Sequence, residues 1–444
     1  MCLLKYQHWK IAFAYIGVII GAGLSSGQDL LQYFLCFGKI GLLGVLLLGV
    51  LNAIFGRIMV TFGCYYRAEN HEEVFSQITH PFFTRVLDIV LVLGSFVMGF
   101  VMVAGAGSNL NQQFGIPSAI GALICSILIV IVSFLDFDKI TGVLGIFTPV
   151  IIVMLLSITV YTFIGKSYDF AVLDATARTI KPAMNNVFLS VVNYYALCAM
   201  TGVSMAFILG GAVVRIGIAE KGGTLGGIMV GIIVLAAAFS IFANIDQVKD
   251  ADMPMLAIVN NIHPWFAVLY AFTVFSLIFN TAFSLYYSIA RRFSGGSIRR
   301  MRIVMITVAS VGYICSFGGF KTLIGIMYPI LGYMGVLLLA ILFVAWVQKR
   351  KDIIIEKFFR RKMLRISLKK HHPDTHVTEK EKELFHSLSE ISPAETDALK
   401  KDIHETAKQI IENTDDIEKY LDEHLSVDDK KIQKNVNAMM ESED

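Results

Sequence analysis

Ten apolar stretches long enough to cross a lipid bilayer follow one another between Lys10 and Trp346, and they leave this chain few ways to fold. They run roughly over residues 10–36, 39–63, 84–110, 117–135, 140–165, 187–214, 222–244, 265–290, 302–318 and 322–347. A helical span takes about 20 predominantly apolar residues. Hydrocarbon offers no partner to a free N–H or C=O, so each stretch must satisfy its own backbone as a helix. The chain is therefore predicted to be all-α and polytopic, with ten transmembrane helices and a helical cytoplasmic tail. With 55% hydrophobic residues among 444, lipid and not water is the expected solvent.

Charge divides the chain. Residues 1–347 carry 19 Lys+Arg and 13 Asp+Glu, whereas residues 348–444 carry 19 and 22. This marks a membrane domain over 1–347, a basic juxtamembrane segment over 348–371 and an acidic tail over 372–444. With the N-terminus in the cytoplasm, 13 Lys+Arg of the membrane domain fall on the cytoplasmic side. Six fall outside: Lys39, Lys166, Arg178, Lys181, Lys249 and Lys321. The positive-inside rule favours that assignment. An even span count returns the C-terminus to the cytoplasm, in a multi-pass protein of the cell membrane. The near-neutral balance gives no reason to expect nucleic acid. Six scattered cysteines without CxxC spacing signal neither zinc nor a disulfide framework.

The first span is interrupted in its own sequence. Its apolar run meets Gly21-Ala22-Gly23 halfway and turns polar through Ser25, Ser26, Gln28 and Asp29. A break at membrane depth must line a cavity or a ligand site. The competing account is close helix packing at small residues. The hydroxyls and acid that follow at once favour a site, with Gly21, Ala22, Gly23, Ser25 and Ser26 as substrate-binding candidates.

A short repeat extends the reading. His80-Pro81-Phe82-Phe83 opens the third span and His263-Pro264-Trp265-Phe266 opens the eighth, each after a short amphipathic stretch. Five spans separate them, an odd number, as an inverted five-plus-five repeat requires. Carried across the repeat, Gly21 falls on Ser204 in the sixth span. A second broken helix is predicted near Ala199–Gly202, which adds Asn193, Tyr194, Thr201 and Gly202 to the candidates. Helix N-termini at such breaks suit an anionic group.

At this point the chain resembles the LeuT-type fold of the amino acid–polyamine–organocation superfamily. The run Ile20-Gly21-Ala22-Gly23-Leu24-Ser25-Ser26-Gly27-Gln28-Asp29, followed by Tyr33-Phe34, is most similar to the YkvI family of bacterial membrane proteins. The resemblance covers about residues 8–347. It implies an alternating-access carrier holding substrate between the first, third, sixth and eighth helices. It also implies a sodium site between the first and eighth helices, with the carbonyls of Gly17 and Ile20 and the hydroxyls of Thr281 and Ser284 as ligands. Leu285 and Leu24 stand where many sodium-coupled members carry polar ligands, so one sodium, a proton or no ion all stay open. No other cofactor is expected.

Individual residues carry weaker expectations. Asp29 is the only acid of the first span and is expected near the outer mouth, solvated or acting as a gate or proton carrier. Asp88 is expected to pair with Arg85 on one helix face. Ser95, Met98, Met102, Phe279 and Asn280 could wall a pocket or simply pack. His80 and His263 read as boundary residues before proline. No nucleophile triad, phosphate loop or metal cluster is visible, so an enzyme is not expected.

In the tail, residues 349–371 mix ten Lys+Arg with apolar residues, which suits an amphipathic helix on anionic lipid. Ser392-Pro393-Ala394-Glu395 reads as a capping box with proline at the first helical position. Ile403, Ile410, Ile417 and Leu421 form an apolar stripe able to pack on other helices or on a cytoplasmic protein partner. The function expected is secondary transport of a small polar solute, most plausibly an amino acid or related metabolite. The rival is a transporter-like receptor whose tail is its output.

Overall fold

The computed structural model describes residues 7–20, 25–134, 147–371, 376–413, 421 and 425. Among these residues all regular structure is helical. In chain order the α-helices are α1 Gln7–Ile19, α2 Gln28–Tyr33, α3 Lys39–Tyr66, α4 His71–Ile78, α5 Pro81–Phe114 and α6 Ser118–Val132. Then come α7 Phe147–Phe163, α8 Phe170–Ala177, α9 Val187–Gly211, α10 Ile216–Ala243, α11 Ile245–Val248 and α12 Pro254–Ile262. The chain continues with α13 Pro264–Phe293, α14 Ile298–Ser316, α15 Phe320–His371, α16 Glu379–Ile391 and α17 Thr396–Glu412.

Six of these, α3, α5, α9, α10, α13 and α15, are long and apolar enough to cross a membrane, and α6 and α7 are shorter apolar helices. Helix α3 shows the pattern at residue level. Ile40, Leu43, Leu47, Val50 and Ile54 recur every three or four residues and are all exposed, while Gly44, Leu48, Asn52 and Phe55 on other faces are buried. An exposed stripe of leucine, isoleucine and valine is stable against lipid and costly against water. The chain is a membrane protein on this ground as well.

Lipid supplies no hydrophobic drive between helices, so close backbone approach must hold them. The pairing of α3 with α10 is the most extensive in the molecule. It rests on facing glycines. A Cβ on Gly231 would stand 2.7 Å from the Gly49 Cα, and one on Gly223 would stand 2.4 Å from the Gly56 carbonyl oxygen.

The two His-Pro motifs fold alike. The ring Nδ1 of His80 accepts the Phe82 N–H at 3.3 Å, and that of His263 accepts the Trp265 N–H at 3.2 Å. Each histidine caps a long helix with proline in its first turn, and each follows a short helix, α4 or α12. Both act as the boundary residues their sequence implied. The resulting helices, α5 and α13, pack on each other.

The tail departs from expectation in three ways. Helix α15 does not end at the membrane boundary but runs on as one element to His371. The apolar face of its basic half is covered by protein: Phe359, Met363, Leu364 and Leu368 are buried with Leu388, Leu399, Ile403 and Ile410 of the tail helices. Those apolar residues found a protein surface to cover, which competes with any membrane for the same face. The start of α17 also shifts. Ser392 ends α16, and Glu395 caps α17 by accepting the Ala398 N–H at 2.8 Å. Ser392 instead donates to Glu356 at 2.6 Å. Of the expected stripe, Ile403 and Ile410 are buried, and Ile417 lies outside the described residues.

Arg360 and Glu356 organise this docking. Arg360 Nε is 2.6 Å from Glu356 Oε1, and both side chains are almost wholly buried. The guanidinium also donates to the carbonyls of Cys64 and Tyr65, each at 2.7 Å, and of Val214 at 3.3 Å. It thereby satisfies the C-terminal carbonyls of α3. Arg67, one step beyond, pairs with Asp402 of α17.

Candidate functional site

The helix of the first span stops at Ile19, and a second helix starts at Gln28. Gly21, Ala22 and Gly23 lie outside the described residues. Gly27 has a left-handed backbone, φ 77°, immediately before α2. Only glycine takes that conformation cheaply. A side chain there would also press on Ile241 Cδ1 at 2.7 Å and Met255 Cγ at 2.9 Å. The interruption is therefore built in at the helix start and clamped from α10 and α12.

Ser25 and Ser26 are buried beside it. The Tyr270 hydroxyl of α13 donates to the Ser25 carbonyl at 2.6 Å, and Ser26 Oγ accepts the Gln28 N–H at 3.2 Å. The backbone at the break thus takes a partner from the eighth span.

Asp29 is not at a solvated mouth. It is 1% exposed. Its Oδ2 accepts the hydroxyl proton of Tyr194 on α9, and its Oδ1 accepts the Leu30 N–H at 2.9 Å. The first turn of α2 pulls it inward, because Gln28 through Tyr33 are all buried. A ring of aromatics encloses the pair. Tyr33 and Phe34 lie 5.2 and 5.4 Å from the Tyr194 ring, centroid to centroid.

Asn193 ties the same region to the last span. It accepts from the Tyr33 hydroxyl at 3.2 Å and donates to the Pro329 carbonyl at 2.9 Å. Nearby Tyr328 and Gln28 are fully buried, yet Tyr328 Oη and both amide atoms of Gln28 have no hydrogen-bond partner among the described residues. Buried polar atoms ordinarily take a hydrogen-bond partner, so this is the polar part of the enclosure around Asp29. Gln28 and Tyr33 stood in the quoted motif without being named as site residues, and Tyr270 and Tyr328 escaped the sequence reading. The i−1 and i+4 neighbours of Asp29 were a signal for the first two, since a buried acid needs polar company.

The second predicted break is absent. Helix α9 runs unbroken from Val187 to Gly211 through Thr201 and Gly202. Thr201 is exposed and returns its hydroxyl to its own helix, to Cys198 O at 3.0 Å. Gly202 instead makes room for α1: a Cβ there would meet Ile19 Cδ1 at 2.9 Å. The expectation carried over from the His-Pro repeat fails here: no residue of α9 has the left-handed backbone that interrupts the first span at Gly27.

The proposed ion ligands fall on two elements, α1 with the residue after it and α13. Gly17 is exposed on α1, and the nearest atom to a Cβ built there is Thr148 Cγ2 of α7 at 3.8 Å. Ile20 is buried just past the end of α1. Thr281 and Ser284 are half-buried on α13, and Thr281 donates to Leu277 O at 2.9 Å. The main packing partners of α1 are α10 and α9. Among the walls, Met98, Met102 and Phe279 are buried, Ser95 donates to Leu91 O at 2.8 Å, and Asn280 Oδ1 is buried without a partner among the described residues. Asp88 pairs with Arg292 of α13 and not with Arg85, and Arg292 also reaches Glu72 at 3.2 Å. That links two helices where an intrahelical pair was expected.

Known proteins agree with this architecture. No protein-family model matches the chain. The membrane protein YkvI of Bacillus subtilis (strain 168) is 25% identical over 345 residues, 78% of this chain and 97% of YkvI. YyaD of the same organism is 23% identical over 329 residues, 74% of this chain and 93% of YyaD. Both are uncharacterised. The crystal structure of MhsT in complex with L-phenylalanine superimposes with a TM-score of 0.51 at 15% identity, covering 89% of this chain and 98% of MhsT. The resemblance read from the first span thus extends over most of the chain: it is similar to the membrane protein YkvI and shares the LeuT-type fold of MhsT.

Proposed function

We propose that this protein is a secondary transporter of the cell membrane that moves a small polar solute by alternating access. The observation that carries the reading is the interrupted first span with Asp29 and Tyr194 joined at its inner edge. In this reading α1 and α2 form one interrupted span and α14 is the ninth of ten, arranged as a five-plus-five inverted repeat. Both termini lie in the cytoplasm, with the tail docked on the cytoplasmic ends of α3 and α10. MhsT binds L-phenylalanine on the same fold, which supports an amino acid or related metabolite as cargo. Ser25 and Ser26, buried beside the break, would stand next to its polar head.

A proton carried on Asp29 is the coupling ion of this reading. A carboxylate enclosed at membrane depth is costly to keep charged, so solute arrival and proton arrival favour each other there. Sodium at Gly17, Ile20, Thr281 and Ser284 is the other arm of the test. The full chain in proteoliposomes, given labelled amino acids under an imposed proton or sodium gradient, decides between them. Uptake driven by the proton gradient and lost in Asp29→Asn is the expected result. A sodium requirement with Asp29→Asn fully active overturns the coupling.

The docked tail favours a second reading, a receptor that keeps the transporter fold. Ligands that raise the unfolding temperature without any flux under either gradient would select it over transport.

A further inference from the structure

A cavity of about 480 Å³ opens at the end of the bundle away from the tail. Its lining includes Gln32 of α2, Lys181, Lys249, Asp250, and Lys321 and Thr322 of α15. The lysines are the notable part. Sequence assigns only six Lys+Arg of the membrane domain to this side of the membrane, and three of the six line this one cavity. The positive-inside rule depletes such residues here, so their gathering at a single mouth is not a general property of that surface. They come from three separate parts of the chain. Lys181 precedes α9, Lys249 ends α11, and Lys321 opens α15, with its Nζ 3.5 Å from the Lys249 carbonyl oxygen.

Gln32 forms the floor. Its side chain is 6% exposed. The amide nitrogen donates to the Lys321 carbonyl at 3.1 Å. Its Oε1 is buried with no partner among the described residues and faces Gly325, where a Cβ would stand 3.4 Å from it. Three lysines against one aspartate in the lining, with one unused acceptor on Gln32, describe a ligand with a negative end and a hydrogen-bond donor close to it.

We infer that this cavity is a binding site for small carboxylates that also carry an amine or hydroxyl, the carboxylate facing Lys181, Lys249 and Lys321 and the donor bonding Gln32 Oε1. Three lysines against the single carboxylate of Asp250 leave the cleft with a net positive charge, which concentrates anions and raises their rate of arrival. Gln32 stands one turn along α2 from Asp29, so the cavity leads toward the buried pair. The inference rests on the transporter reading only for the fate of the bound solute, because occupancy is measured without flux.

The test is acylation of lysines in the full-length protein in nanodiscs of neutral lipid, read by peptide mass spectrometry. The probes are glycine, acetate and methylammonium. At glycine about four times its dissociation constant, the acylation rates of Lys181, Lys249 and Lys321 should fall about fivefold, since a site is shielded by 1 + [L]/Kd. Lys39 and Lys166, on the same side, should not change. Acetate should protect at higher concentration than glycine, and methylammonium not at all. Gln32→Leu should remove the advantage of glycine over acetate. Gln32→Glu, which keeps the shape and adds a negative charge, should abolish protection by both. Unchanged rates, equal protection by methylammonium, or uniform slowing at Lys39 and Lys166 would overturn the site. Protection by phosphatidylglycerol in the nanodisc with no probe present would assign the lysines to lipid headgroups and overturn it too. Protection without uptake would leave the site standing and count against transport alone.

Discussion

The hydroxyl of Tyr194 donates to the carboxylate of Asp29, joining residues 165 positions apart in the chain inside a shell of buried aromatics. Removing the donor leaves the carboxylate only backbone N–H groups, those of Leu30 and of Asp29 itself. A buried acceptor stripped of a partner costs about 1–3 kcal/mol. Tyr194→Phe should therefore lower the unfolding temperature of the purified protein. Adding Asp29→Asn to it should recover part of the loss, because a neutral amide tolerates the site better than a charge. A Tyr194→Phe protein as stable as the original would show that the bond does not hold the two helices together.

Gly27 gives a cleaner test of the break. Alanine there must adopt φ 77°, which costs an L-residue roughly 1–2 kcal/mol, and must displace Ile241 and Met255 as well. Gly296 has φ 80° with nothing within 4 Å of the point where an alanine methyl would stand, so Gly296→Ala carries the backbone cost alone. Chemical denaturation of both variants should show Gly27→Ala the weaker by about 1 kcal/mol or more. Equal losses would mean that the break is not clamped from α10 and α12.

Arg360 should be the most sensitive residue of the tail. Arg360→Met strands the Glu356 carboxylate and uncovers the carbonyls of Cys64 and Tyr65. Breaking one partner out of a buried ion pair costs about 3–5 kcal/mol. Tail helices α16 and α17 should then be cut rapidly by protease, and Glu356→Gln in the same background should slow the cutting. Wild-type protease resistance in Arg360→Met would overturn the role given to this residue.

Acid should loosen the same docking. His404 of α17 bonds Ser367 through Nδ1 at 2.7 Å and stacks on Phe385 at 5.3 Å. Burial holds its pKa below the ordinary 6.5, and Lys370, His371 and Lys408 push it the same way. The docked tail thus keeps His404 neutral, while a released tail takes up a proton near pH 6.5. Docking is at full strength above that value and weakens as pH falls through it toward the lower docked-state pKa. Protease cutting between residues 376 and 413 should accelerate over this window, and His404→Phe should flatten the response. A pH-independent cutting rate in the unmodified protein would refute it.

Much of the fold was legible because lipid imposes so few solutions. The long apolar helices and the His-Pro caps follow from local chemistry, apolar length and a missing N–H; the first-span break was placed at Gly21–Gly23, outside the described residues, whereas the glycine that turns left-handed is Gly27. What stayed hidden depends on partners far away in sequence. Asp29 read as a mouth residue because nothing near it shows that Tyr194 will meet it. Repeat arithmetic placed a second break in α9, yet two halves related by symmetry need not share a backbone conformation. Residues 349–371 carry the composition of a lipid-surface helix, and only the apolar stripe of α17 reveals that protein covers it instead. Tyr270 and Tyr328 were invisible, as any lone tyrosine in an apolar run is.

The unbroken course of α15 has a mechanical consequence. Its 52 residues make one rod of roughly 78 Å at 1.5 Å per residue. One end carries Tyr328 and Pro329, the latter bonded to Asn193 next to Tyr194, and the other is gripped by α16 and α17. A partner that pulls on the far end therefore works a lever whose short arm lies next to Asp29, with no hinge between them except the proline itself.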